Sequence, residues 1–319
     1  MSHALVEVIG LEQSFALARP SLFAPRPIRR AVDGVSFRIQ AGRSFGVVGE
    51  SGSGKSTLAR AVMALLKPTA GQVRFEGQSL FDLSRSQLKA ARANFQMIFQ
   101  DPYGSLDPRH KVEKIVAEPL IGLAHVSREE RRRRVEEALS EVGLDAAASR
   151  KYPHEFSGGQ RQRIAIARAL VTKPKLVVAD EPVSALDVSI QAQVLNVMTD
   201  LQRDAGVTYL LISHDLAVVG HVCDEIAVMF HGRFVETGPS ELLLSRPAHP
   251  YTRELVDAAP KLEEVASAAP DALPHPGAQT GCAYARRCFH ASKDCLAEAP
   301  KLRALLDGRE VACHHPVAA

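Results

Sequence analysis

Short apolar runs alternate with amphipathic helical patterns along the first two thirds of the chain, and that alternation predicts an α/β domain with a largely parallel sheet. VSFRI (35–39) and FGVV (45–48) read as strands, and LARAVMALL (58–66) reads as a helix stopped by Pro68. KLVVAD (175–180) and TYLLIS (208–213) are continuous apolar runs expected as buried strands. From about residue 101 to residue 152 the strand pattern vanishes and helical spacing replaces it, with Ser127 and Glu130 in the register of a capping box. An all-helical insertion inside an α/β core is therefore expected. Past Pro239, ELLLSR and YTRELVDAA have helical spacing, whereas KLEEVASAAPDALPHPGAQTG is rich in Ala and Pro and reads as a linker. The sequence contains no internal repeat.

Composition narrows the class. With 319 residues, 46% hydrophobic and 24% charged, the chain can bury one core plus an appendage or two modest domains, and a folded chain is expected. The net charge of +3 is spread out, and its densest run, residues 131–134, lies in SREERRRRVEEALSEVGL with glutamates on both sides. That pattern is a solvated helix face in preference to a nucleic-acid surface. No apolar run approaches the roughly 18 residues a membrane span needs, and MSHALVEVIG lacks the basic start and long apolar stretch of a secretory signal. The expectation is a cytosolic chain, alone or on a membrane partner. Cys223, in HVCDEIAVMF, reads as a buried small residue. Cys282, Cys288, Cys295 and Cys313 crowd into the tail, where a reducing cytosol disfavours disulfides.

The candidate chemistry begins with GVVGESGSGKSTLARAVMALL. Gly49, the four residues Glu50, Ser51, Gly52 and Ser53, then Gly54, Lys55, Ser56 and Thr57 follow a strand and open a helix, as a phosphate-binding loop requires. Lys55 is expected on the β and γ phosphates and the Ser56 hydroxyl on Mg²⁺. A Gly-Ser turn with an accidental lysine is the weaker alternative, because the strand and helix context is also present. Asp180 and Glu181 emerge together at the carboxyl end of a buried strand, the edge where α/β sheets bind ligands. Asp180 suits the Mg²⁺ shell, and Glu181 suits polarising a water that attacks the γ-phosphate. His214, which would otherwise be an ordinary loop histidine, ends a third strand on that edge and becomes a γ-phosphate contact.

HEFSGGQRQRIAIARAL (154–170) supplies a second anion site. Ser157 and Gln160 have capping-box spacing, and Gly158 and Gly159 leave first-turn N–H groups uncovered. One chain has one lysine-bearing phosphate loop, so a two-fold dimer is expected in which each FSGGQ helix caps the partner's nucleotide. A plain capped helix explains the tetrapeptide but not the whole set.

GESGSGKST, Gln100 in MIFQDP, FSGGQ, LVVADEP, SALD (184–187) and ISHD (212–215), in this order, closely resemble the ATP-binding subunits of ABC transporters, from near the N-terminus to about residue 240. The resemblance implies a P-loop NTPase core with a helical subdomain at about 101–172, ATP and Mg²⁺ as ligands, and hydrolysis in an ATP-sandwich dimer. It makes Gln100 the residue that senses Mg²⁺ and couples to the membrane subunit, and it puts Asp187 in a loop that crosses the dimer. It also implies an aromatic on the adenine: Phe15, with Phe23 as a rival because ALARPSLFAPRPIRR intervenes before the next strand. FAPRPIRRAVDGVSF, FQDPYGSLDPR, SRPAHPYTRELVDAAP and the cysteine tail resemble the dipeptide and oligopeptide importer branch, which also includes nickel, glutathione and some sugar importers.

The expected function is thus the ATPase of a peptide importer, peripheral on the cytoplasmic face of the membrane, with nickel or glutathione as alternative cargo. The implied partners are a second ATPase subunit, identical or paralogous, two permease subunits and an extracytoplasmic solute-binding protein. The expected division is 1–240 for the ATP-binding domain and 241–319 for an extension with a four-cysteine segment, 282–313. A soluble ABC protein acting on ribosomes or DNA would usually carry two cores or a long coiled-coil insertion, and neither is visible. A regulator without turnover is disfavoured by Glu181 and His214.

In the tail the cysteine gaps of five, six and seventeen residues provide four thiolates but no tight Cys-x₂₋₄-Cys pair of the structural-zinc kind. Iron–sulfur clusters also accept four thiolates. A segment of about forty residues cannot fold without a staple or a docking surface. His290, His314 and His315 keep a mixed Cys/His site open. Similarity to the tails of peptide-importer ATPases, some of which hold a [4Fe-4S] cluster there, puts that cluster ahead of zinc and zinc ahead of free buried thiols, in a structural role.

Overall fold

The computed structural model describes residues 4–19, 21, 26–121, 126–258 and 280–317. Two long strands, β1 (Val6–Ala16) and β2 (Ile28–Ile39), precede β3 (Ser44–Val48), α1 (Lys55–Val62), β4 (Ala70–Phe75), β5 (Gln78–Ser79), α2 (Arg85–Ala91) and β6 (Phe95–Ile98). A helical stretch follows, with α3 (Pro102–Ser105), α4 (Val112–Val116), α5 (Glu118–Ile121), α6 (Arg128–Glu141) and α7 (Gly158–Leu170). Strand and helix then alternate through β7 (Leu176–Asp180), α8 (Val188–Ala205), β8 (Thr208–Ser213), α9 (Leu216–Val222), β9 (Glu225–Phe230) and β10 (Arg233–Pro239). Helices α10 (Ser240–Ser245), α11 (Pro250–Ala258) and α12 (Lys293–Ala297) and the short strands β11 (Arg303–Ala304) and β12 (Glu310–Val311) complete the described chain.

Two sheets form. The larger runs β11-β12-β10-β9-β3-β8-β7-β6, with β9, β3, β8, β7 and β6 mutually parallel and the other edge antiparallel. Every residue of β3, β7 and β8 is buried, which is why these strands read as unbroken apolar runs. The smaller sheet, β2-β1-β4-β5, is antiparallel throughout and was not anticipated from the sequence. Its first strand, VEVIGLEQSFA, buries roughly alternate residues and shifts register at three places, which blurs a period-2 signal. One apolar core fills the space between the two sheets, and a second joins the helical stretch to the other face of the large sheet.

Some boundaries differ from expectation. Helix α1 ends at Val62, because Ala64 takes a left-handed φ of +50° before Pro68 is reached. At Ser127 only half a capping box forms. The hydroxyl accepts from the Glu130 N–H, but the Glu130 carboxylate turns to Arg133 and Arg134 instead of the backbone. Within the arginine run, Arg132, Arg133 and Arg134 form an ion-paired helix face open to solvent, as expected. Cys223 is buried, and burial raises its thiol pKa. The linker lies outside the described residues except for 280 and 281.

The tail docks on the core. Strand β12 pairs with β10, and fully buried Arg309 lies 3.3 Å from the carboxylate of fully buried Glu236, which also accepts the N–H groups of Ala248 and His249.

Candidate active site

The loop between β3 and α1 has the form an anion needs. Gly54 sits at φ +111°, and a Cβ there would fall 2.0 Å from the Ala31 carbonyl oxygen, so only glycine admits this turn. Lys55 is buried and donates to the carbonyls of Gly49 at 2.6 Å and Glu50 at 2.9 Å. Burial pushes its pKa down, opposed by the carboxylates of Glu181, Asp180 and Glu50. The Ser56 hydroxyl donates to Asp180 Oδ1 at 3.1 Å, and burial raises the Asp180 pKa. A hydroxyl beside a buried carboxylate is an oxygen donor pair of the sort that Mg²⁺ uses. Ser53 is buried, Ser51 and Gly52 are exposed, and Thr57 is half-buried on α1.

Four distant stretches meet here because β3, β8, β7 and β6 are neighbours in the sheet and parallel, so their carboxyl ends share one edge. The phosphate loop leaves β3, His214 follows β8, Asp180 ends β7 with Glu181 directly after it, and Gln100 follows β6. Glu181 holds a left-handed φ of +49°. Its carboxylate accepts from Gln100 Nε2 at 2.8 Å, and His214 Nδ1 lies 3.3 Å away. Residues 81 and 33 positions away thus converge on one carboxylate.

The second expected anion site is built as a helix start. Ser157 and Gln160 complete a reciprocal capping box, with Gln160 Oε1 accepting the Ser157 N–H at 3.1 Å. Gly158 begins α7, and Gly159 packs on α8, where a Cβ would fall 2.3 Å from Ile190 Cγ2. Asp187 occupies the N-cap position of α8 without capping it and is exposed. Gln191, which no sequence pattern singled out, shapes the loop before it by donating to the carbonyls of Val183 and Leu186. Among the described residues, no hydrogen bond or ion pair joins residues 157–160 or Asp187 to the Lys55 group. Phe15 is half-exposed on β1, opposite Arg29, whose guanidinium donates to the Gly52 carbonyl at 2.9 Å. Phe23 lies outside the described residues.

Cys282, Cys288, Cys295 and Cys313 line one cavity, and none forms a disulfide. Burial raises the Cys282 thiol pKa and pushes that of Cys313 up to about 11. His290, His314 and His315 border the same cavity, but His314 bonds to the Glu298 carbonyl and His315 to Ser292. The metal centre expected here is not supported by a ready coordination set: among the described residues, no three or more His, Cys, Asp or Glu side chains are grouped to hold a metal ion. The sequence also did not reveal that Glu50 is engaged from the tail side: its N–H donates to Tyr251 Oη and its carboxylate binds Arg287.

Among the described residues, no helix is long and apolar enough to cross a membrane. The ABC transporter family matches residues 32–184, and the C-terminal region of oligopeptide/dipeptide transporters matches residues 235–295. The chain is 50% identical over 294 residues to the di/tripeptide transport ATP-binding protein DppF of Pseudomonas aeruginosa, covering 90% of each chain. It is 43% identical to the dipeptide transport ATP-binding protein DppF of Escherichia coli, covering 98% of this chain and 95% of that one. Among solved structures, a dimeric ATP-binding cassette in a post-hydrolysis state with ADP and Pi superposes with a TM-score of 0.65 at 29% identity, covering 74% of this chain and 98% of the other. Sequence and fold agree: the chain belongs to the ABC transporter family and is an ATP-hydrolysing subunit.

Proposed function

We propose that this ATPase drives peptide uptake through a membrane permease, working as an ATP-sandwich dimer with a second copy or a paralogue. The observation that carries the mechanism is the shared strand edge, where the Gln100–Glu181–His214 group stands beside Lys55, Ser56 and Asp180. Lys55, now bonded to its own loop, exchanges the Gly49 and Glu50 carbonyls for phosphate oxygens. Glu181 takes a proton from the attacking water, and His214 holds the γ-phosphate side. Ser56, Asp180 and Gln100 are the residues that would hold Mg²⁺, whose role is to neutralise charge on the β and γ oxygens. Residues 157–160 and Asp187 serve the partner's nucleotide, and Phe15 serves the adenine. We assign residues 1–240 to the ATP-binding domain and 241–319 to the extension.

The peptide cargo and the permease partners rest on the named relatives, which are peptide-transport ATP-binding proteins. The chain would then lie on the cytoplasmic face, with a solute-binding protein reached through the complex. Pull-down of the tagged full chain from detergent-solubilised membranes should recover two permease subunits; recovery of ribosomes or DNA instead would overturn the transport reading. The cavity shared by four cysteines supports assigning them to a [4Fe-4S] cluster, which would cross-link the tail. Anaerobic purification should yield about four irons per chain, the content of one such cluster, lost on Cys288→Ser. Stoichiometric zinc would replace the cluster, and a metal-free protein would leave buried thiols.

A further inference from the structure

We propose that the cysteine-bearing tail positions the phosphate loop, with Arg287 as the residue that does so. Arg287 joins two carboxylates: Nη1 meets Glu50 Oε1 at 2.7 Å, inside the phosphate loop, and Nη2 meets Glu254 Oε1 at 2.5 Å, on α11. The guanidinium also lies over the rings of Tyr284 and Phe230, 5.7 and 6.0 Å from their centroids. Tyr284 Oη donates to the second Glu254 oxygen. Fully buried Tyr251 completes the contact by accepting the Glu50 N–H at 2.9 Å. The loop residue Glu50 is thus gripped by backbone and side chain, and each gripping residue lies beyond the 32–184 span of the cassette match.

The electrostatics give this contact a direction. Glu50 is close enough to act on Lys55, so its carboxylate is an anion at the rim of an anion site. Paired to Arg287, it is neutralised and turned toward the tail. Unpaired, it would repel a triphosphate and compete for Lys55. Since Arg287 and Glu50 are both partly exposed, a simple surface pair would contribute little. The second carboxylate and the aromatic bed fix the guanidinium, so less freedom is lost on holding Glu50.

The inference rests on the phosphate-loop assignment, and the test separates the two. A fluorescent ATP analogue with Mg²⁺ is titrated into the full chain, wild type and the variants Arg287→Met, Glu50→Gln, their double, and Arg286→Met at the exposed neighbouring position. Arg287→Met should weaken binding about fivefold or more, the lower range for coupling between sites. The double variant should bind no more weakly than Glu50→Gln alone, because the repulsion Arg287 suppresses is then absent. Arg286→Met should bind as wild type. Affinity of Arg287→Met within about twofold of wild type, or losses that simply add in the double variant, would overturn the proposal. If Arg287→Met does not fold, Glu254→Gln, which releases one of the two anchors, takes its place in the same titration: a loss of about fivefold or more supports the proposal, and binding within about twofold of wild type overturns it. A wild-type chain that bound no nucleotide would sink the phosphate-loop assignment and this inference with it.

Discussion

At the scale of the residue, Asp180 carries opposed demands. Burial raises its pKa, so the folded chain favours the protonated carboxyl more than the unfolded chain does. The sign follows: the native state binds the extra proton, and stability falls as pH rises past the ordinary carboxylate range. Asp180→Asn should therefore raise the Tm of the nucleotide-free chain at neutral pH while weakening Mg²⁺-dependent ATP binding by about tenfold or more, the size of a lost charged contact in a buried site. Thermal scans with and without Mg-ATP check both, and an unchanged Mg-ATP shift would remove Asp180 from the Mg²⁺ set. Glu181→Gln keeps the hydrogen-bonding shape but cannot take a proton. It should retain nucleotide yet lose on the order of 10² or more in kcat, measured in the assembled complex. Lys55, Asp180, Glu181 and His214 were legible because each stands in a short local pattern. Arg29, Tyr251 and Arg287 were not, since their partners lie 23, 201 and 237 positions away.

At the scale of the element, the start of α7 illustrates a partial reading. The capping box of Ser157 and Gln160 was visible in its spacing, and so was the helix it opens. The need for glycine at 159 has a second cause that the sequence hides, the close approach of Ile190 on α8. Gly159→Ala should cost about 1–3 kcal/mol by overpacking that contact, and Ile190→Ala in the same chain should recover part of it. Denaturant titration of the single and double variants decides; equal losses with and without Ile190 would mean the contact is not the cause. Ser157→Arg, tested in the Glu181→Gln background, should keep nucleotide binding but abolish ATP-dependent dimers on size exclusion. An undiminished dimer would refute the role across the interface.

At the scale of the whole molecule, the tail is held by a buried charge pair. Arg309 and Glu236 are both fully buried, and Asp307 adds a contact at 2.7 Å. Removing one partner leaves the other charge uncompensated, so Arg309→Met should cost about 3–5 kcal/mol and expose the tail to protease. The double variant with Glu236→Gln should be more stable than Arg309→Met alone. Failure of that recovery would show that shape, not charge, holds the tail.

Whatever depends on neighbours in the chain was already set by the order of residues: the phosphate loop and its helix, the buried strands of the large sheet, the carboxylates at the end of β7, the helical insertion and the capped start of α7. These follow from runs of burial, glycine spacing and cap chemistry, all local in range. Folding in three dimensions was needed to settle which strand edges adjoin, and so which of those motifs meet. It added the antiparallel sheet, whose irregular strands carry a weak period, and it brought four separate cysteines to one cavity. It also clasped Glu50 from the far end of the chain. Contacts of that kind depend on the packing of elements already formed, and spacing along the chain does not encode them.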